Sequence, residues 1–151
     1  MAGVALNNAS IARSTASSHI TYDWKRWDSC HHTDSDGDCV GGYDYYYGYS
    51  TSADIDGTCN ATSNGVFVNG SNPVLQGDST REQDAYSIPH SDYFNVRGNH
   101  SSANGRVSSG NGKNVFIGGK SVSISGSTVT THAQTRTTIN GGSSSNVFIG
   151  G

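Results

Sequence analysis

The phrase NVFIGG occurs at residues 114–119 and again at 146–151, and a looser copy, GVFVNG, occupies 65–70. Each copy carries three strand-forming residues in a row: Val66-Phe67-Val68, Val115-Phe116-Ile117 and Val147-Phe148-Ile149. Each closes on Asn-Gly or Gly-Gly, which favours a tight turn. A short continuous apolar run predicts a strand buried on both faces. The copies start at 65, 114 and 146, spacings of 49 and 32 residues, so they do not form a regular solenoid. Three like β units at unequal spacing predict an object of approximate threefold symmetry, with one chain supplying all three sides.

The stretches around the copies share a second feature. SNPVLQGDSTREQDAYSIPH follows the first copy and ends at His90; KSVSISGSTVTTH follows the second and ends at His132; VALNNASIARSTASSH, near the N-terminus, ends at His19. In each, an alternating stretch leads through a polar turn to a histidine. A fourth histidine, His100, lies in HSDYFNVRGNHSS.

Composition limits what these units can build. Of 151 residues only 32% are apolar and 14% charged, with a net charge of −3; glycine and small polar residues fill the remainder. Disordered chains usually carry higher net charge. Gly and Asn supply turns, while Thr, Val, Ile and Tyr favour strands. The expectation is one all-β domain spanning 1–151, turn-rich, with a thin core that needs a staple. No basic block points to nucleic acid. No apolar run approaches the roughly 20 residues of a membrane span. The opening MAGVALNNAS does not read as a signal peptide. Three cysteines cannot all pair within one chain, which favours a protein made in the cytosol over a secreted disulfide scaffold.

VFVNGSNPVLQGDS, NVFIGGKSVSISGSTVTTH and the final GSSSNVFIGG resemble the PAAR-repeat proteins, the tips of phage tail spikes and of type VI secretion spikes. The resemblance covers residues 3–20 and 63–151. Gly77-Asp78 stands where the family has Gly-Asp; the third unit has SGST there and the first has none, a departure that bears on how tightly those turns follow the family geometry. The resemblance implies a small conical β domain of three pseudo-repeated units. It also implies one zinc near the vertex, held by His19, His90, His100 and His132, the last replacing the family's usual cysteine. Zn²⁺ accepts four imidazoles in a tetrahedron; ligand type alone is equally compatible with iron or another divalent metal. The implied partner is a trimeric β-helical spike, capped at one copy per trimer, with the target cell membrane met transiently.

Residues 22–63 depart from the family as a long loop insertion. They hold both tryptophans, all three cysteines and six of the eight tyrosines. Cys30, His31, His32, Cys39 and Cys59 are compatible with a second zinc site, although no paired Cys-x-x-Cys is present; a Cys30–Cys39 disulfide or free thiols is the simpler reading. DSDGD resembles part of a calcium loop but lacks its remaining ligand positions. The run GGYDYYYGYS reads either as aromatic packing, which we favour, or as an exposed sticky surface.

Catalysis finds no support in the motifs. No nucleophile elbow is present, and no carboxylate stands at a recognised spacing from the histidines. The expected role is therefore mechanical, as a membrane-piercing tip. The sequence closes on its last repeat, which favours a phage tail baseplate in the virion. The alternatives are a type VI spike, loaded in the bacterial cytoplasm and then secreted, and a receptor- or glycan-binding module.

Overall fold

The computed structural model describes residues 1–150; Gly151, which ends the third copy of the repeated phrase, lies outside them. The described residues form strands and turns without a helix: β1 (Ala2–Ala5), β2 (Ser14–Thr33), β3 (Cys39–Asn60), β4 (Ser79–Tyr86), β5 (Tyr93–Arg97), β6 (Arg106–Val107), β7 (Phe116–Ile117), β8 (Lys120–Ser121), β9 (Thr128–Thr130), β10 (Arg136–Thr138) and β11 (Ser143–Ile149). The chain divides into two compact units. One comprises Met1–Ala16, Asp54–Ala85 and His100–Gly151; the other comprises Ser17–Ala53 and Tyr86–Asn99.

The first unit is built on a threefold pattern. Segments 3–7, 72–76 and 121–125 bond to one another in a closed cycle. The Ala5 N–H donates to the Ser123 carbonyl (2.9 Å), Ser123 to Val74 (2.8 Å), and Val74 back to Ala5 (2.8 Å). A second cycle runs two residues further on, from Asn7 to Asn72, Gln76 to Ser121 and Ser125 to Gly3, at 2.9, 2.8 and 3.0 Å. The bridges Val4↔Ile124, Leu6↔Pro73 and Leu75↔Val122 repeat the same register. Each segment thus has the same two neighbours in the same offset, and their buried backbone groups are satisfied.

Each segment ends in a tight turn whose third residue is left-handed: Asn8 (φ 68°), Gly77 (φ 94°) and Gly126 (φ 92°). Glycine and asparagine tolerate that conformation best. The Asp78 carboxylate accepts the Leu75 N–H at 2.8 Å, and the Ser127 hydroxyl accepts the Ile124 N–H at 2.9 Å. Ser127 therefore replaces the aspartate in kind. Without Gly-Asp the third unit's turn closes as the second's does: its closing bond, Ser127 N–H to Ile124, is 2.9 Å against 3.0 Å for Asp78 to Leu75.

A hairpin leaves each turn and returns to it. Cys59, Val107 and Ile139 are the returning residues, bonded through their N–H groups to Ala9, Asp78 and Ser127 at 2.7, 2.8 and 3.0 Å. The return takes 50, 29 and 12 residues (9 to 59, 78 to 107, 127 to 139). This explains the uneven repeats: the spacings 49 and 32 differ by 17, as do the hairpins of 29 and 12. Cys59, Val107 and Ile139 pack with Ala5, Ala9, Ile11, Val74 and Val129 in one cluster. Cys59 is simply the third member of an apolar triple. Burial pushes its thiol up to about 12, which makes it a poor nucleophile.

The repeated phrases form two-stranded ribbons. Phe116 pairs with Ser121 and Ile117 with Lys120, while Val68 bridges Ser71 across its Asn-Gly turn. The third copy pairs with the start of the chain: Phe148 opposes Gly3 and Ile149 opposes Ala2. These strands are not buried on both faces, as the apolar run predicts. Val68, Ile117 and Ile149 pack on Val4, Leu75 and Val122. Phe67, Phe116 and Phe148, by contrast, are 64%, 56% and 45% exposed. A two-stranded ribbon has only one covered face, and the third residue of each phrase takes it.

Most of the expected loop 22–63 is strand, and its residues 22–53 belong to the second unit. β2 and β3 form a long hairpin, and β5 pairs with β2 through Thr21↔Arg97, Asp23↔Phe94 and Trp24↔Tyr93. DSDGD is the hairpin turn: the Asp34 carboxylate accepts the N–H groups of Asp36 and Asp38, both at 2.9 Å. The Cys30–Cys39 disulfide closes the ribbon just behind it, at a Cα–Cα distance of 4.6 Å, the spacing of a non-hydrogen-bonded cross-strand pair. The short loop it closes predicts a stabilisation of about 2–3 kcal/mol. Reduction should therefore speed amide exchange at the hairpin tip and leave exchange at Val74, Val107 and Val129 unchanged.

The tyrosine run divides between its two sequence readings. Tyr46 stacks on Trp24 (4.2 Å, 13°), with Tyr22 and Tyr49 beside it, while Tyr45 and Tyr47 point outward. Strand alternation sends neighbours to opposite faces. Below these rings, Asp23 accepts the Gly48 N–H and the Asn95 amide, each at 3.0 Å, with Arg97 at 3.5 Å. The Gly48 bond first, then Asn95 and Arg97, holds the Asp23 carboxyl below its usual value, against an opposing effect of burial. A lowered folded-state pKa contributes stability that is present above the unfolded value of about 3.9 and is lost as pH falls through the folded one. Near-ultraviolet dichroism of the aromatic cluster should thus decay in that acid window, and Asp23→Asn should flatten the dependence.

Candidate metal centre

β4 carries two carboxylates, Glu82 and Asp84, two residues apart and so on one face of the strand. Both side chains are fully buried. Each grips one histidine in the same way, through backbone and ring together. Glu82 Oε2 accepts the His132 backbone N–H at 2.8 Å and lies 2.6 Å from His132 Nδ1. Asp84 Oδ2 accepts the His100 backbone N–H at 2.8 Å and lies 3.1 Å from His100 Nδ1. Glu82 Oε1 also accepts the Thr80 hydroxyl at 2.5 Å, and Thr80 in turn accepts the Gly105 N–H at 2.9 Å. Gly105 has to be glycine for a steric reason: a Cβ there would collide with Glu82 and the Thr130 carbonyl.

These contacts orient the rings. An imidazole that donates through Nδ1 to a carboxylate presents Nε2 as its ligating nitrogen, the arrangement that carboxylate–histidine pairs impose on metal-bound histidines. His132 Nε2 lies 3.0 Å from Asp84 Oδ1, and the His100 and His132 rings are 4.9 Å apart at 65°. One ligand atom from each of Asp84, His100 and His132 falls within 4.8 Å of the others. His132 is nearly buried, while His100 is partly open to solvent. Two imidazoles and a carboxylate suit Zn²⁺ and other divalent first-row metals, so the residues present fit the implied group.

The four histidines expected as ligands are placed as follows. His100 and His132 lie side by side in the first unit. His19 lies on β2 in the second unit and is half-buried. His90 belongs to the aromatic core of the second unit. It stacks on Trp24 (3.9 Å, 14°), and its Nδ1 lies 2.9 Å from the Tyr22 hydroxyl. Of the five residues weighed for a second zinc, Cys30 and Cys39 are consumed by their disulfide and Cys59 is in the core of the first unit. His31 lies 3.0 Å from Asp44 and His32 packs edge-on against His31. Sequence reading missed Glu82 and Asp84, although the alternation in REQDAY would have placed both on one strand face.

No protein-family model, curated protein or solved structure matches this chain.

Proposed function

We propose that the protein is a metal-stabilised cap for a threefold-symmetric partner, namely the tip of a trimeric spike. One observation carries this reading. Three Val-Phe pairs, at 66–67, 115–116 and 147–148, are exposed at equivalent places of a unit whose hydrogen bonds repeat in threes. Single exposed apolar residues are ordinary; the same pair repeated three times around one pattern supports a docking surface. A chain with three similar sides can present one to each subunit of a trimer. The exposed ribbon edges also offer backbone groups for pairing with the partner's open strand ends.

On this reading the metal is structural. Asp84, His100 and His132 hold it. A metal that ties together groups far apart in the chain contributes to folding. The carboxylates beside the histidines serve as ligand and orienter, not as acid or base. The assembly that goes with this role is a phage tail baseplate, with a type VI spike as the second reading.

Mass measurement of the protein with its spike tests the proposal. The isolated chain should be a monomer and the complex should hold one copy per spike trimer. Three copies per trimer, or a homotrimer in isolation, would overturn it.

A further inference from the structure

We propose that the outward aromatic face of the second unit binds a neutral oligosaccharide, an assignment that does not depend on the spike-tip reading. Tyr45 and Tyr47 alternate outward along β3, 52% and 66% exposed, with rings nearly parallel (9°) and centroids 6.3 Å apart. Phe94 buttresses both, edge-on at 6.2 and 6.4 Å. The two rings are therefore held in place before any ligand arrives, which lowers the entropy lost on binding. Parallel, rigid, amphipathic rings suit the C–H faces of successive pyranose units, while the phenol hydroxyls remain free to bond sugar hydroxyls.

Beside Tyr45 a cavity of about 270 Å³ is lined by Lys25, Ser91, Asp92, Tyr93 and Phe94. The Lys25 N–H bonds the Asp92 carbonyl at 3.0 Å, which fixes the loop to β2. The volume lies just below the usual range for ligand pockets, about 300–1,000 Å³, so it admits a single ring rather than a folded segment. Its walls decide the ligand class. Lys25, Ser91 and Asp92 stand beside the aromatic rings, and the Lys25 ammonium lies 4.1 Å over the Tyr43 ring. A bilayer or an apolar helix would take water from the charged groups of Lys25 and Asp92 and return no hydrogen bond. A polyhydroxyl ligand can donate to the carboxylate and accept from the ammonium. One cation and one anion balance in this cavity, which favours a neutral sugar over a polyanion.

Isothermal titration tests this with cellohexaose and chitohexaose, with heparin and phosphatidylcholine vesicles as the competing ligand classes. Saturable binding of at least one neutral hexasaccharide is expected. Tyr45→Ala and Tyr47→Ala should each weaken it by at least about tenfold, and Tyr47→Phe, which keeps the ring, should stay within about threefold of wild type. Because both tyrosines are exposed, the variants should keep the wild-type far-ultraviolet spectrum. Lack of binding to either neutral hexasaccharide would overturn the assignment. So would a preference for heparin or vesicles, or self-association that the tyrosine variants abolish.

Discussion

Removing the metal should lower the melting temperature by about 10 °C or more. Structural zinc commonly supplies several kcal/mol of a small domain's folding free energy. For a chain of 151 residues, each kcal/mol corresponds to roughly 2–4 °C. Elemental analysis of the purified protein should find one equivalent of a divalent metal, and a strong chelator should remove it together with the stability. His132→Ala should fall further than the chelated wild type. It loses the ligand and also leaves the buried Glu82 carboxylate without the ring it contacts at 2.6 Å, an additional cost of about 1–3 kcal/mol. Its melting temperature should no longer respond to added zinc. His90→Ala should leave metal content unchanged and disturb the Trp24 stack. A metal-free wild-type protein whose melting temperature ignores the chelator would sink the metal proposal.

Combined substitution of Phe67, Phe116 and Phe148 by Asp should abolish binding to the trimeric partner while the chain remains folded. Burial of one exposed phenylalanine contributes about 1.5–3 kcal/mol. Three together are worth more than a thousandfold in affinity, at 1.4 kcal/mol per factor of ten. The three single Phe→Ala variants should lose affinity by similar factors, because each ring occupies an equivalent place. Unequal effects, with one ring carrying the binding alone, would show that the partner does not use the threefold pattern. Because the rings are exposed, the melting temperature of each single variant should change little, which separates lost docking from lost folding.

Much of the first unit was legible in the sequence because its information is local. Three copies of one apolar phrase specify three similar ribbons, and the Asn7-Asn8, Gly77-Asp78 and Ser125-Gly126 steps mark three left-handed turn positions. The all-β class follows from those turns and from strand formers in short runs. Burial of the phrases was not legible. An apolar triplet does not reveal how many strands flank it, and only the tertiary structure leaves the phenylalanines on a ribbon with one covered face. The same limit hid the equivalence of Ser127 and Asp78. A hydroxyl and a carboxylate look unlike in sequence, yet both reach the same N–H once the turn is formed.

The candidate centre divides along the same line. By itself the sequence determined that histidines follow the turns and that two carboxylates share one face of β4, since both facts depend on spacing within a strand. Only the tertiary structure decided which groups meet. Glu82 and His132 are fifty residues apart, and Asp84 and His100 sixteen. Hairpins of different length bring them together, and hairpin length is not encoded in any residue's own preference. His90 ends its stretch much as His132 does, but its ring lies against Trp24, because aromatic stacking in the second unit offers it a partner that no local pattern announces.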